Sequence, residues 1–341
     1  MLWEFTNADL GFSYGQPAIV KTKKYGWVVM FASGYNNASG GAFLFIVNPR
    51  TGALLKKVTA VATATPAVQV GMAHIQPFLL DTTDGTADAV YAGDLLGNLW
   101  RFDLTATTDE YPDAIKIAQL TDTSGTALAV TSRPLVTIQP GSNKRWVTVG
   151  TGRLLAASDV VNNTIQSYFA IIDGTATRPN QAANLPAGVS FPIQRNKLAS
   201  LTNLTTPISL DYNTQAGWVM NFSSTLGGGT GWRLIADSTS FYGTVTFATM
   251  LPSTAGSNAA CKTSGQSTIY MIDLGTGKSV LANGAAYIQQ DAVATDIAVI
   301  SAPDPGVYIG LDNGTVIKQT PPGIPSIGYQ RLNWREIPIK N

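Results

Sequence analysis

The chain has 341 residues, 13% of them charged, with a formal net charge of +1. So weak a field, with no basic run beyond Lys23-Lys24 and Lys56-Lys57, excludes a phosphate-gathering surface, and nucleic acid is not expected as a partner. One cysteine and one histidine exclude an internal disulfide and a Cys/His zinc centre, which leaves an oxygen-ligated hard cation as the metal option.

The opening Leu2 to Phe12 has no basic or long apolar region of a leader, and no run approaches the ~18 apolar residues of a membrane span. The chain is therefore expected to be a single domain, residues 1–341, cut from a longer exported protein. From Leu2 onward the dominant period is two. Short runs bounded by Gly, Pro, Asn and Asp predict strands at Trp27 to Phe31, Ala42 to Val47, Ala89 to Ala92, Asn98 to Phe102, Trp146 to Val149 and Ser167 to Ile172. Further runs follow at Thr244 to Thr249, Thr268 to Ile272, Gly306 to Ile309 and Thr315 to Lys318. Ala285 to Ile300 is the nearest approach to helical spacing, and its β-branched content argues against a helix.

Three units recur. Val90 to Leu104 and Val307 to Thr320 share an apolar strand, a glycine, a polar turn and a second strand. Leu44 to Val58 and Ile269 to Leu281 share a strand, an acid or amide, then Thr-Gly. Met30 to Asn37 and Val147 to Leu155 each end a strand at a glycine turn. The recurrence, at roughly 45 to 60 residues, is that of a four-stranded blade with loops. The fold class is all-β, a β-propeller of about six or seven blades, with a two-sheet sandwich as the lesser reading. Leu2 to Phe5 and Asn333 to Ile337 are both strand-like and could close the ring in one blade. Thr105 to Ala114, Ile172 to Asn203 and Thr254 to Gln266 are read as blade insertions on a partner-facing side.

The candidate site is Asp81 to Asp88. Calcium takes six to eight oxygens, and Asp84, Gly85 and Asp88 fit the fifth, sixth and ninth positions of a calcium loop, with the Thr86 carbonyl at the seventh. Strict spacing puts Leu80 first and Thr82 third, so Asp81 becomes a ligand only in a loop shortened by one residue. The glutamate expected at the twelfth position is missing. The same residues equally make an Asp-Gly turn before a strand, with no metal. His74 lacks a neighbouring carboxylate or cysteine in sequence and no Gly-x-Ser-x-Gly elbow accompanies it, so it is read as structural rather than as part of a Ser-His-Asp triad. Gly227 to Gly231 lacks the lysine of a phosphate loop and is read as a hairpin turn before the strand Trp232 to Ile235. Trp100, Trp146, Trp218 and Trp232 are expected in the core, and Cys261 in a loop.

"LWEFTNADLGFSYGQPAIV", "GWVVMFASGYNN", "ADAVYAGDLLGNLWRFDL", "VTVGTGRLL", "QSYFAIID", "GWVMNF", "VTFATMLPS", "IYMIDLGTG" and "NWREI" occur in that order. Together they resemble the C-terminal propeller domain of the PilY-type (PilC/PilY) type IV pilus tip-associated adhesins. The resemblance implies a modified seven-bladed propeller, with a first blade left incomplete because the family has a segment ahead of "LWEF". It implies export through the periplasm or outer membrane to the cell surface or pilus tip. Pilins or minor pilins and a host or abiotic surface are the implied partners, and the roles are pilus biogenesis, control of retraction, twitching motility and adhesion. It also implies one calcium ion in the loop ahead of "YAGDL", with Asp84, Thr86 and Asp88 matching and Asp81 matching after a one-residue deletion. No catalytic residues are expected; a quinoprotein dehydrogenase is the alternative, for which three glutamates are a poor supply of ligands and base.

Overall fold

The computed structural model describes residues 2–64, 69–253, 265–300 and 304–321. Five sheets stand among them. The first pairs β1 (Ala18–Thr22), β2 (Gly26–Ala32), β3 (Ala42–Val47) and β4 (Leu54–Val61) in that order. The second pairs β5 (Met72–Phe78), β6 (Ala89–Asp94), β7 (Asn98–Asp103) and β8 (Ile115–Gln119). Both are antiparallel meanders.

The third sheet departs from the meander. Its order is β12-β13-β11-β10-β9, from β9 (Leu135–Gln139), β10 (Lys144–Gly150), β11 (Ser167–Thr175), β12 (Ala199–Leu201) and β13 (Gly217–Asn221), and β12 lies parallel on β13. The fourth sheet is β14 (Thr239–Phe241), β15 (Thr244–Pro252), β16 (Gly265–Asp273) and β17 (Ile288–Gln290). The fifth is β18 (Ala294–Ile300), β19 (Gly306–Leu311) and β20 (Val316–Gln319). The first strands of successive sheets touch, β1 against β5, β5 against β9, β9 against β14 and β14 against β18. That is a propeller's inner ring, with each sheet running outward from it.

Every one of the predicted runs falls on a strand: successive side chains point to opposite faces, and in β3 and β6, buried throughout, both faces are covered. The core lies between sheets: Val28, Met30, Leu44 and Ile46 of the first pack with Val90, Ala92, Trp100 and Phe102 of the second. Trp146, Tyr168 and Trp218 of the third pack with Phe247 and Tyr270 of the fourth, the Tyr168 and Phe247 rings stacking at 3.8 Å between centroids. The four tryptophans expected in the core are there, none more than 7% exposed.

Some expectations are corrected. The described residues hold five sheets, the first of them with four strands. Leu2 to Phe5 forms no strand; Trp3 Nε1 donates to the Pro49 carbonyl at 2.9 Å and Phe5 packs on Phe31 and Phe45, which anchors the segment on the first sheet by its side chains. The ring-closing partner Asn333 to Ile337 and Cys261 lie outside the described residues. Ala285 to Ile300 holds β17 and β18, and no helix. Gly227 to Gly231 is a wrap rather than a hairpin. Gly227 ends a single 3-10 turn at φ +78, a Cβ on Gly228 would meet the Phe222 backbone at 2.6 Å, and Arg233 makes only an isolated bridge to Met250.

The recurring units share a physical cause. In Leu44 to Val58, Asn48 Oδ1 accepts from the Arg50 and Thr51 amides; in Ile269 to Leu281, Asp273 Oδ1 accepts from the Thr276 amide and hydroxyl. Each turn then closes on a glycine in the left-handed region, Gly52 at φ +70 and Gly277 at φ +65.

Candidate functional site

The loop from Leu79 to Asp88 joins β5 to β6. Asp81 Oδ1 accepts from the Thr83 amide at 2.8 Å and its hydroxyl at 2.6 Å, and Asp84 Oδ1 accepts from the Thr86 amide at 2.7 Å. The Thr83 hydrogen bonds hold the Asp81 carboxyl below the usual carboxylate range. Gly85 turns the chain at φ +68. The loop is then laid beside β1: Lys21 N–H reaches the Gly85 carbonyl at 3.3 Å, and Ala87 N–H reaches the Lys21 carbonyl at 2.8 Å. Asp88 Oδ2 accepts from the Leu80 amide at 3.0 Å, and Lys23 Nζ stands 3.3 Å from Oδ1.

All four expected metal ligands thus share one loop, and their oxygens are the hard donors calcium takes. Their carboxylates do not converge. Asp81 and Asp84 spend an oxygen each on their own turns, Asp88 faces a lysine, and no group of three or more acidic, His or Cys side chains among the described residues is arranged to hold a metal. As arranged, the loop is an Asx-turned connection tied to β1 and not a coordination sphere.

Behind the loop, the β6–β7 hairpin turns on Asp94, which is fully buried. Its Oδ1 accepts from the Leu96 and Asn98 amides, both at 2.9 Å; its Oδ2 accepts from Asn98 Nδ2 at 2.7 Å and Trp100 Nε1 at 2.8 Å. Trp100 is thus packed and also pinned. Gly97 at φ +73 completes the turn, where a Cβ would sit 2.5 Å from the Leu120 carbonyl oxygen.

Between the second and third sheets lies a buried ionic cluster that residue patterning had not singled out. Arg101 pairs with Asp173, Tyr91 donates to the other Asp173 oxygen at 2.6 Å, and Arg145 Nη1 donates to the Tyr91 hydroxyl at 3.2 Å. The Arg145 guanidinium lies 4.1 Å from the centroid of the Phe78 ring. The signal was a charged residue inside each of three apolar strands: "LWRFD", "KRWVTVG" and "FAIID". A cavity of about 50 Å³, lined by Leu80, Asp88, Arg101, Arg145 and Pro179 among others, connects this cluster to the acidic loop.

His74 lies in the inner strand β5, half-buried, and burial lowers its pKa; its charged neighbours are Asp237 and Arg133, themselves paired at 3.1 Å. That is a structural setting. Arg233 is likewise consumed by structure, donating to the carbonyls of Gly231, Arg153, Asp159 and Asn162.

An inner ring of first strands, sheets running outward and Asx-capped blade hairpins together define a β-propeller. The family model described as the PilY1 beta-propeller domain matches residues 4–203, more than half of the chain, and the chain belongs to that family. A type IV pilus biogenesis factor PilY1 homolog of Xylella fastidiosa is 28% identical over 99% of this chain and 28% of its own length. The type IV pilus biogenesis factor PilY1 of Pseudomonas aeruginosa strain PAO1 is 28% identical over 66% of this chain and 22% of its own length. The chain therefore spans less than a third of the curated relatives it matches. The solved C-terminal domain of Pseudomonas aeruginosa PilY1 covers the same fold, with a TM-score of 0.72 at 21% identity over 94% of this chain and 75% of that one.

Proposed function

We propose that this chain is the propeller module of a type IV pilus biogenesis factor, a non-catalytic binding unit carried outside the cell. In this reading it engages pilins or minor pilins at the pilus tip or cell surface, supports assembly and control of retraction, and through them twitching motility and attachment to a host or abiotic surface. The observation that carries it is the family match over residues 4–203. No helix among the described residues is long and apolar enough to cross a membrane.

Calcium at Asp81, Asp84, Thr86 and Asp88 belongs to the same proposal. What supports it is the oxygen donor set and the place of the loop directly before β6; what it requires is that Asp88 be released from Lys23. Melting with and without a chelator decides it. For the pilus role, the full-length protein is expected to restore surface pili and twitching to a bacterium deleted for its own relative. Restoration that is just as complete when the propeller is removed would end the proposal.

A further inference from the structure

A cavity of about 610 Å³ opens where β11 leaves the third sheet and β13 enters it. Its walls are the start of β10 and two insertion arms, residues 174–187 and 212–216. The first arm is held from beneath by the buried cluster: Arg145 Nη2 donates to the Ala176 carbonyl and Arg101 Nη2 to the Asn180 carbonyl, both at 2.9 Å. The two arms are joined by the Ala187 amide donating to the Asn213 carbonyl at 2.9 Å. The cavity is therefore shaped before any ligand arrives, and its volume lies in the range of small-molecule sites, far above what an inorganic ion fills.

The chemistry of the wall is one-sided. Lys144 and Arg178 both line it, neither takes part in an ion pair among the described residues, and no aspartate or glutamate is in the lining. In a chain of net charge +1 this is a local excess of positive charge. Lys144 Nζ is held 4.5 Å above the Tyr212 ring. Asp211, next to Tyr212, is turned onto the Asn213 amide at 3.0 Å and the Thr214 hydroxyl at 2.7 Å. Asn184 and Asn213 bring side-chain amides to the same space, that of Asn213 also within hydrogen-bonding reach of Asp211, and Pro179 and Pro186 add apolar ledges.

An extended peptide would need free backbone groups to pair with. Here the backbone is already used: Ile172 N–H goes to the Ala216 carbonyl at 2.8 Å, Thr175 N–H to Arg178 at 2.8 Å, and Ala176 N–H to Asn143 at 2.9 Å. Recognition falls to cations, amides and apolar ledges. That set answers carboxylates, hydroxyls and the C–H faces of pyranose rings.

We propose that this cavity binds a short acidic oligosaccharide of uronic-acid sugars, with Lys144 and Arg178 taking carboxylates and Asn184 and Asn213 taking hydroxyls. It deepens the attachment part of the proposed function and rests on that reading only for where such a ligand is met.

The test is calorimetric titration of the purified chain with trigalacturonate, with neutral cellotriose and with hexaglutamate, on wild type, Lys144→Gln, Arg178→Gln and, as a control at an exposed turn of the first sheet, Arg50→Gln. Trigalacturonate is expected to bind saturably, each cavity variant to weaken it about tenfold at unchanged melting temperature, Arg50→Gln to leave it alone, and cellotriose to bind far more weakly. No saturable binding of trigalacturonate overturns the proposal, as does equal affinity in wild type and both cavity variants. Tighter binding of hexaglutamate, lost in the same variants, reassigns the cavity to acidic peptides and also overturns it. Counting pili on cells that carry both substitutions separates the two readings: failure of pilus assembly with the propeller intact concerns the pilus role, whereas failure of the titration concerns the cavity alone.

Discussion

Arg101 and Asp173, 72 residues apart in sequence, form an ion pair between the second and third sheets with side chains only 2% and 1% exposed. Two charges taken out of water are stabilising together only if their remaining hydrogen-bonding capacity is met. Tyr91 donates to the second Asp173 oxygen and the Asn180 carbonyl accepts from Arg101, while Arg145 donates in turn to the Tyr91 hydroxyl. Asp173→Ala leaves two buried guanidinium groups without a counter-charge and is expected to cost about 3–5 kcal/mol, read as a lower urea midpoint. The double replacement Arg101→Met with Asp173→Leu should cost less than the single one. A loss under about 1 kcal/mol for Asp173→Ala would show that the pair is not structural.

Asp94 is a second buried carboxylate with a different task. It accepts from Leu96, Asn98 and Trp100, all donors. Asp94→Ala orphans them, at about 1–3 kcal/mol for each buried donor left unpaired. Asp94→Asn should be nearly as damaging although it keeps the shape, since its amide would face the Trp100 indole N–H or the Asn98 amide, donor against donor. Trp100 fluorescence during denaturant unfolding reports both. A neutral Asp94→Asn would contradict the donor assignment.

At the surface, hydrogen bonds from Lys24 and Lys56 hold Glu110 at about 2, against an ordinary 4.5. Asp9 beside Lys57 and Asp304 beside Lys318 are lowered in the same way. A carboxylate whose folded pKa is depressed contributes fully above its unfolded value and loses that contribution as pH falls through the folded one. Stability should therefore be flat at neutral pH and decline between about pH 4.5 and about 2, with Glu110→Gln reducing the slope. Because these groups are exposed, the decline should shrink at high salt, and calorimetric melting across that range checks it.

Alkali acts through a different set. Burial pushes the Tyr91, Tyr168 and Tyr270 hydroxyls well above their ordinary range, and Tyr35 up to about 12. Here the folded pKa is raised, so the contribution is complete below the unfolded value near 10 and is lost as pH climbs through the folded values. These phenols are expected to ionise only as the protein unfolds. The phenolate absorbance step should coincide with loss of near-ultraviolet circular dichroism, and an earlier step involving all the tyrosines would contradict their burial.

For the acidic loop, calcium at millimolar levels is expected to raise the melting temperature, and Asp84→Ala or Asp88→Ala to abolish that rise. Lys23→Met, which frees Asp88, is expected to strengthen the response. Superimposable melting curves in calcium and in chelator would remove the metal from the proposed function.

Strands and blade units were legible because each rests on local rules: a short apolar run of β-formers for Ala42 to Val47, an Asx turn closed by glycine for Asn48 to Gly52. Ala285 to Ile300 was harder, since two short strands separated by a turn imitate a loose helical spacing. The acidic loop was legible as a loop, and its ambiguity was real, because an Asx turn and a calcium ligand draw on the same oxygens of Asp81 and Asp84. Arg101, Arg145 and Asp173 stood in plain view as charges within apolar runs. Their partnership depends on which sheets the propeller brings face to face, and no local spacing encodes that.

The short parallel strand β12 has a consequence for how the protein behaves in a crowd. A sheet's outer strand offers unpaired amides and carbonyls to any neighbouring chain, and antiparallel growth from such an edge is the usual start of aggregation. Ala199 to Leu201, laid along Trp218 to Met220, occupies that edge of the third sheet and ends after three residues. The same excursion of chain that walls the cavity therefore also caps the blade, which lets many copies stand close together without knitting into one another.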